Sequence, residues 1–89
     1  MATISRTVSA TSGPAIQRGV NFPGMDITGA ETQSDDGVEC AQRCRADGQC
    51  HSFSWVKPGV QSARAMCWLK NGVPAGVPDP NVNSGVVTH

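Results

Sequence analysis

The residues with the greatest potential for covalent or metal chemistry are four cysteines, Cys40, Cys44, Cys50 and Cys67, with His51 directly after the third. Their C-x3-C and C-x5-C spacings differ from the C-x2-C pairs that many structural zinc sites use. Residues at i and i+4 of a helix can nevertheless chelate one metal, so a zinc site with His51 stays as an alternative. Disulfide bonding is the favoured interpretation.

Four cysteines allow three disulfide pairings. Cys40 and Cys44 lie on adjacent turns of one predicted helix, where both Cα–Cβ bonds tilt toward the N-terminus and bonding to each other is unfavourable. Of the two remaining pairings, Cys44–Cys50 with Cys40–Cys67 is favoured. Cys50 follows an expected turn at Gly48 and is well placed to reach back to the last turn of the helix.

The helix that carries the first two cysteines is predicted over residues 37–46, from small residues and cysteines repeating at i, i+3, i+4 and i+7. Asp36 is expected to be its N-cap, with Glu39 completing a capping box. Gly48 is expected to take the left-handed conformation just past the C-terminus. The buried face of this helix supplies little hydrophobic free energy, so its docking is expected to rely on sulfur bridges.

Strands are predicted from alternating polarity and β-forming residues, and turns from Pro and Gly. Three prolines in residues 73–80 predict an extended loop. Residues 1–15 are rich in Ser and Thr and predict a flexible tail or linker, which leaves residues 16–89 as one domain. The predicted strands are 16–20, 25–28, 50–56, 65–70 and 83–87.

The 89-residue chain holds two Phe, two Trp and no Tyr, so its core is small and a domain of this kind usually needs cross-links, a metal or a partner. Seven basic and seven acidic residues give a formal net charge of zero, which argues against nucleic acid as a partner. No apolar stretch approaches the ~20 residues of a membrane span, so membrane insertion is not expected.

Disulfides require an oxidising compartment, yet residues 1–15 lack the apolar region of a secretory signal. Three explanations remain open: a removed leader, a piece of a longer protein, or a cytosolic protein with free thiols. The favoured localisation is secreted or cell-surface, whether extracellular or periplasmic.

The run GVNFPGMDI, the cysteines at 40, 44 and 50, then FSWV, CWLK and SGVV together resemble the PAN/Apple domain family in its four-cysteine, bacterial-like form. The resemblance covers residues 17–87. It implies an α+β fold in which an antiparallel sheet of about five strands cradles one α-helix. It also implies the bridges Cys40–Cys67 and Cys44–Cys50, without the third bridge that joins the domain ends in Apple domains.

The resemblance further implies a non-catalytic recognition or adhesion module that binds a protein or a carbohydrate outside the cytoplasm. The residues agree, because His51 and His89 are the only histidines and neither belongs to a recognisable nucleophile–base set. We therefore expect no enzymatic activity and no cofactor.

The candidate ligand contacts are the loop residues Lys57, Gln61 and Arg64 together with Trp55 and Trp68. The loop KPGVQSAR, residues 57–64, carries two cations and no acid, and loops on stapled scaffolds often carry recognition. In so small a core, packing is the default role of a tryptophan. An exposed one would instead stack on a sugar ring or anchor a partner protein.

Two alternatives accompany this interpretation. The domain is a structural subunit or spacer of a surface assembly, with self-association through edge strands. Alternatively, and with less support, it is a zinc-stabilised intracellular domain.

Overall fold

The computed structural model describes residues 15–89, so the predicted tail lies outside the described residues except for Ala15. A single five-stranded antiparallel sheet packs one face against a helix, which confirms the predicted α+β class. The elements are β1 (Gln17–Asn21), β2 (Asp26–Thr32), α1 (Val38–Ala46), β3 (Ser52–Val56), β4 (Ala65–Lys70) and β5 (Val77–Val86).

The strand order in the sheet is β1-β5-β3-β4-β2, with antiparallel pairing throughout. The chain therefore starts at one edge, crosses to the opposite edge with β2, and places β3 in the centre after α1. Both edge strands carry a register shift, between Arg18 and Val20 in β1 and between Asp26 and Thr28 in β2. Such bulges increase the local twist and interrupt an edge that another strand would otherwise extend.

The inner face of the sheet, defined as the face that packs on α1, carries the hydrophobic core. Phe53 and Trp55 of β3 are 0% and 2% exposed there. They pack with alternate residues of β4, as the alternation of the sequence predicts. The core consists of Cys40, Ala41, Cys44, Cys50, Phe53, Trp55, Ala65, Cys67, Leu69 and Val87.

Two disulfides join the helix to the rest of the domain. Cys40 is bonded to Cys67 of β4, with Cα atoms 5.3 Å apart, and Cys44 is bonded to Cys50, with Cα atoms 5.1 Å apart. This is the pairing that the sequence favoured. Because all four sulfurs are in disulfides, the alternative zinc site loses its thiolate ligands.

The outer face of the sheet is also covered over its central strands, although the polar residues there predict a solvent-facing surface. The hydroxyl of Ser54 donates to Asn21 Oδ1 over 2.9 Å, and that of Ser52 donates to the carbonyl of Gly72 over 2.6 Å. Lys70 is 3% exposed, and its Nζ pairs with the Asp26 carboxylate and donates to a loop carbonyl. Polar contacts of buried groups therefore fasten the end of β1 and the loops at Gly24 and Gly72 to the sheet.

The start of the helix differs from the prediction by one residue. Asp35, rather than Asp36, caps the helix: its carboxylate accepts from the backbone N–H groups of Gly37 and Glu39 at 3.1 and 2.9 Å. The expected Asp36–Glu39 capping box is wrong, because Asp36 itself adopts a left-handed φ of 65°. Gly37 follows with a φ of 106° and packs against Trp55, where a Cβ would be crowded.

The end of the helix also differs from the prediction. Gly48 is not among the residues with positive φ, and the chain turns instead at Asp47, whose N–H donates to the Cys44 carbonyl over 3.1 Å. The Asp47 carbonyl then accepts from the N–H of Cys50 over 2.9 Å, which brings Cys50 back to the helix. Within residues 15–89 no helix has both the length and the apolar character needed to cross a bilayer.

The last strand begins earlier than predicted. Residues 77–80 were expected to be loop because of their prolines, yet β5 starts at Val77. Pro78 pairs with Val20 of β1, whereas β3 joins the other side of β5 only from Val82 onward. The prolines are tolerated because the strand has one neighbour at that point and requires fewer N–H donors there.

The two bridges should differ in their contribution to stability. Replacing Cys40 and Cys67 together by alanine should lower the free energy of unfolding by about 3.5 kcal/mol, because the bridge spans a sequence separation of 27. The matched replacement of Cys44 and Cys50, with a separation of 6, should lower it by about 2.2 kcal/mol. Urea unfolding of both double variants measures the difference, and a larger loss from the second pair would contradict the ranking.

Candidate recognition groove beside strand β2

The loop between β3 and β4, residues 57–64, folds toward the C-terminal end of β2. Gly59 takes a φ of 85°, and its N–H donates to the Ser62 carbonyl over 2.7 Å, which closes a tight turn. The Ser62 hydroxyl then donates to Glu31 Oε2 over 3.0 Å. The loop is therefore fastened to β2 rather than extended into solvent.

A polar groove of about 540 Å³ lies between this loop, the end of β2 and the exposed side of α1. Three separate segments of the chain form it. Its lining residues are Glu31, Thr32, Gln33, Ser34, Glu39, Arg43, Ala63 and Arg64.

Glu39 organises one wall of the groove. Its Oε1 accepts from the Thr32 hydroxyl over 2.6 Å and from the Gln33 N–H over 3.1 Å, while Oε2 accepts from Arg43 over 3.1 Å. These hydrogen bonds lower the pKa of the Glu39 carboxyl below its ordinary value of 4.5. The bond from Thr32 has the largest effect, followed by those from Gln33 and Arg43. Both oxygens of this ionised carboxylate already accept hydrogen bonds, so Glu39 holds its neighbours in position and is poorly suited to donate a proton.

The two guanidinium groups of the groove have different surroundings. Arg43 pairs with Glu39 and also donates to the backbone carbonyl of Glu31 over 3.3 Å, so it links α1 to β2. Arg64 is exposed and takes part in none of the ion pairs found within residues 15–89. Arg64 therefore offers the groove a planar set of donors for an acceptor group of a ligand.

The residues singled out from the sequence lie in several places. Arg64 lines the groove, whereas Lys57 is exposed at the start of the loop and is not part of the lining. Gln61 and Trp68 meet on the outer face of the sheet, where Trp68 Nε1 donates to Gln61 Oε1 over 2.8 Å. Trp55 is a correction: it is 2% exposed and has no ring face to offer a ligand.

Trp55 contributes to the groove indirectly. Its Nε1 donates to the carbonyl of Gln33 over 3.0 Å, which holds the segment between β2 and α1 against the core. The N–H of this buried indole is thus hydrogen-bonded, as is usual for buried tryptophans.

Sequence reasoning missed Glu31, Glu39 and Arg43 as lining residues. The i, i+4 spacing of Glu39 and Arg43 on a helix was available as a signal for an ion pair. Nothing in the sequence indicated that β2 would continue to Thr32 and bring Glu31 beside this pair.

The hydrogen bonds to Glu39 generate a prediction for pH dependence. The pKa of Glu39 in the folded state lies below its ordinary value of 4.5. Ionised Glu39 therefore stabilises the folded domain fully at pH values above 4.5, and this stabilisation is lost as the pH falls through the folded-state pKa. Glu39→Gln should therefore destabilise the domain at neutral pH, and its difference from wild type should shrink in acid. Denaturant unfolding over a descending pH series measures this, and a difference that is independent of pH would contradict it.

Comparison with known proteins identifies the family. A family model described as the PAN domain matches residues 20–70, a segment that contains α1, the strands β2 to β4 and all four cysteines. PAN domains are typically non-catalytic modules that bind proteins or carbohydrates. No curated protein and no solved structure matches the chain. Since the matched segment is more than half of the 89 residues, the chain belongs to the PAN domain family.

Proposed function

We propose that this chain is an extracellular recognition domain without catalytic activity, which binds a protein or glycan partner through the groove beside β2. One observation carries the proposal: a polar groove of about 540 Å³ exposes Arg64, which takes part in none of the ion pairs found over residues 15–89, on a frame fixed by disulfides. A binding site needs few placed polar groups on a rigid support, and this groove meets that requirement.

The cysteines support the extracellular location. Disulfides Cys40–Cys67 and Cys44–Cys50 are the dominant covalent constraints of the domain, and such bridges persist in oxidising compartments. In a reducing cytosol, a helix whose buried face consists of Cys40, Ala41 and Cys44 would lose most of its attachment. The fold therefore suits a secreted or cell-surface protein.

The charges of the groove support recognition by hydrogen bonding rather than by bulk electrostatic attraction. Glu31 and Glu39 balance Arg43 and Arg64, and the whole chain has a formal net charge of zero. With its charges balanced, such a site selects a partner by the directions of its hydrogen bonds, and the planar guanidinium of Arg64 suits a bidentate acceptor. This balance is also unlike the basic surface of a nucleic-acid-binding domain.

Removing the Arg64 guanidinium should weaken partner binding. Arg64→Ala should reduce capture of partners from the native extracellular surroundings, or from a glycan array, by about tenfold, as loss of a central charged hydrogen-bonding group does. Lys57→Ala is the matched control, because it removes an exposed cation of the same loop that does not line the groove. Equal binding by wild type and Arg64→Ala would contradict the placement, and no capture by correctly bridged wild type would contradict the function.

The alternative function, a structural subunit that self-associates, depends on pairing at the edge strands. Both edges carry bulges, and Arg43 donates to the Glu31 carbonyl at the end of β2. These features oppose strand addition, as they do on the edges of other sheets. Recognition through side chains is therefore the better supported function.

Light scattering tests the alternative. We expect the domain to remain a monomer as its concentration rises, because its bulged edges offer short runs of backbone for pairing. A mass that increases with concentration, and that returns to the monomer value when a proline replaces Ala30 in β2, would favour the structural role instead.

A further inference from the structure

Trp68 differs from the other aromatic side chains of the domain. The two Phe and two Trp residues of the chain all lie within residues 15–89, and three of them, Phe22, Phe53 and Trp55, are at most 5% exposed. Trp68 is half-buried on the outer face of the sheet. Its indole is therefore the large aromatic surface that remains accessible to a ligand.

The indole of Trp68 is held in place from two sides. Gly29 is its partner across the strand pair, and a Cβ at that position would overlap ring atoms Cζ3, Cε3 and Cη2. The absence of a side chain therefore lets the ring lie on the backbone of β2. On the other side, Nε1 donates to Gln61 Oε1 over 2.8 Å. A ring fixed in this way loses little entropy when a ligand binds.

Two hydrogen-bonding residues lie on the same side of the sheet as the ring: Gln61 contacts its Nε1, and Glu31 follows Gly29 by two residues in β2 and so points to the same face. Because Gln61 Oε1 accepts the indole proton, the amide nitrogen of Gln61 keeps two hydrogens for a ligand. The next residue, Ser62, donates its hydroxyl to Glu31 Oε2, which leaves the other carboxylate oxygen as an acceptor. A fixed aromatic surface is thus combined with an amide donor and a carboxylate acceptor on one side of β2.

From this arrangement we infer that Trp68 is a stacking surface for the pyranose ring of a glycan. The inference rests on the proposed recognition function and adds to the groove a second contact surface, on the outer face of the sheet, with a named ligand class. The C–H face of a pyranose packs against the indole, while its hydroxyl groups, which both donate and accept, bond to the Gln61 amide and the Glu31 carboxylate. A protein contact is less well suited, because centres of protein interfaces are depleted of charged groups such as this carboxylate.

The two indole N–H signals of the protein allow a direct test by proton–nitrogen NMR. Methyl glycosides of glucose, galactose, mannose and N-acetylglucosamine are titrated one at a time into the oxidised full chain at millimolar concentrations. At least one should shift the Trp68 indole signal and the backbone signals of Gly29 and Gln61. The Trp55 indole, buried and bonded to the Gln33 carbonyl, is the internal reference and should not move.

Variants separate stacking from the polar contacts. Trp68→Phe assigns the indole signal and keeps a smaller ring, so sugar affinity should fall severalfold. Gln61→Ala should weaken binding by about tenfold through lost donors and lost fixation of the ring. Lys57→Ala, in the same loop, should bind as the wild type does. Retained reference shifts of Trp55 show that each variant is folded.

The outcomes are decisive. If no glycoside moves the Trp68 signal, or if Gln61→Ala binds as tightly as wild type, the glycan inference is overturned. If the glycosides fail while a native partner is still captured, the recognition function stands and the glycan class is wrong. Capture of a partner protein that depends on Trp68 and survives removal of the partner's glycans would also overturn the inference.

Discussion

The bond between Cys40 and Cys67 is the constraint on which the rest of the domain depends. The buried side of α1 consists of Cys40, Ala41 and Cys44, which together bury too little apolar surface to dock a nine-residue helix firmly. The bridge joins the first half of that helix to β4, and the Cys44–Cys50 bridge fixes its end. Helix position, and with it the wall of the groove, therefore depends on covalent geometry more than on hydrophobic burial.

Placement of the helix determines which polar groups meet beside β2. Once α1 lies against β3 and β4, Glu39 accepts from Thr32, and Arg43 reaches the Glu31 carbonyl. These bonds fasten the end of an edge strand that would otherwise be free on one side. The same contacts that stabilise the strand also shape the groove, so stability and recognition share residues at this point.

The two faces of β2 present different chemistry. Toward the helix, the groove offers the guanidinium of Arg64 among hydroxyl and carboxylate groups. On the outer face, Gly29 leaves room for the Trp68 ring, which Gln61 holds by a hydrogen bond. Loop 57–64 contributes to both faces, because Ser62 bonds to Glu31 between them. Because Ser62 fastens this loop to β2, the loop can hold Arg64 in the groove and Gln61 against Trp68 without a large hydrophobic core beneath it.

The sequence by itself determined the features that depend on local spacing. The cysteine intervals favoured both bridges, and β4 begins and ends where predicted. Features that depend on competition between neighbouring groups could not be predicted from the sequence. Asp35 capped the helix in place of Asp36, since the left-handed turn through Gly37 points the Asp35 carboxylate at the first N–H groups.

Only the tertiary structure decided the extent of β5, the burial of Trp55 and the composition of the groove. The prolines of β5 are tolerated because β3 joins that strand only from Val82, a fact of strand order that no local pattern contains. The groove unites residues 31–34, 39, 43, 63 and 64, whose proximity follows from the disulfide and from the register of β2 on β4. Sequence spacing specifies which bonds a segment can make, whereas long-range packing selects which of those bonds form together.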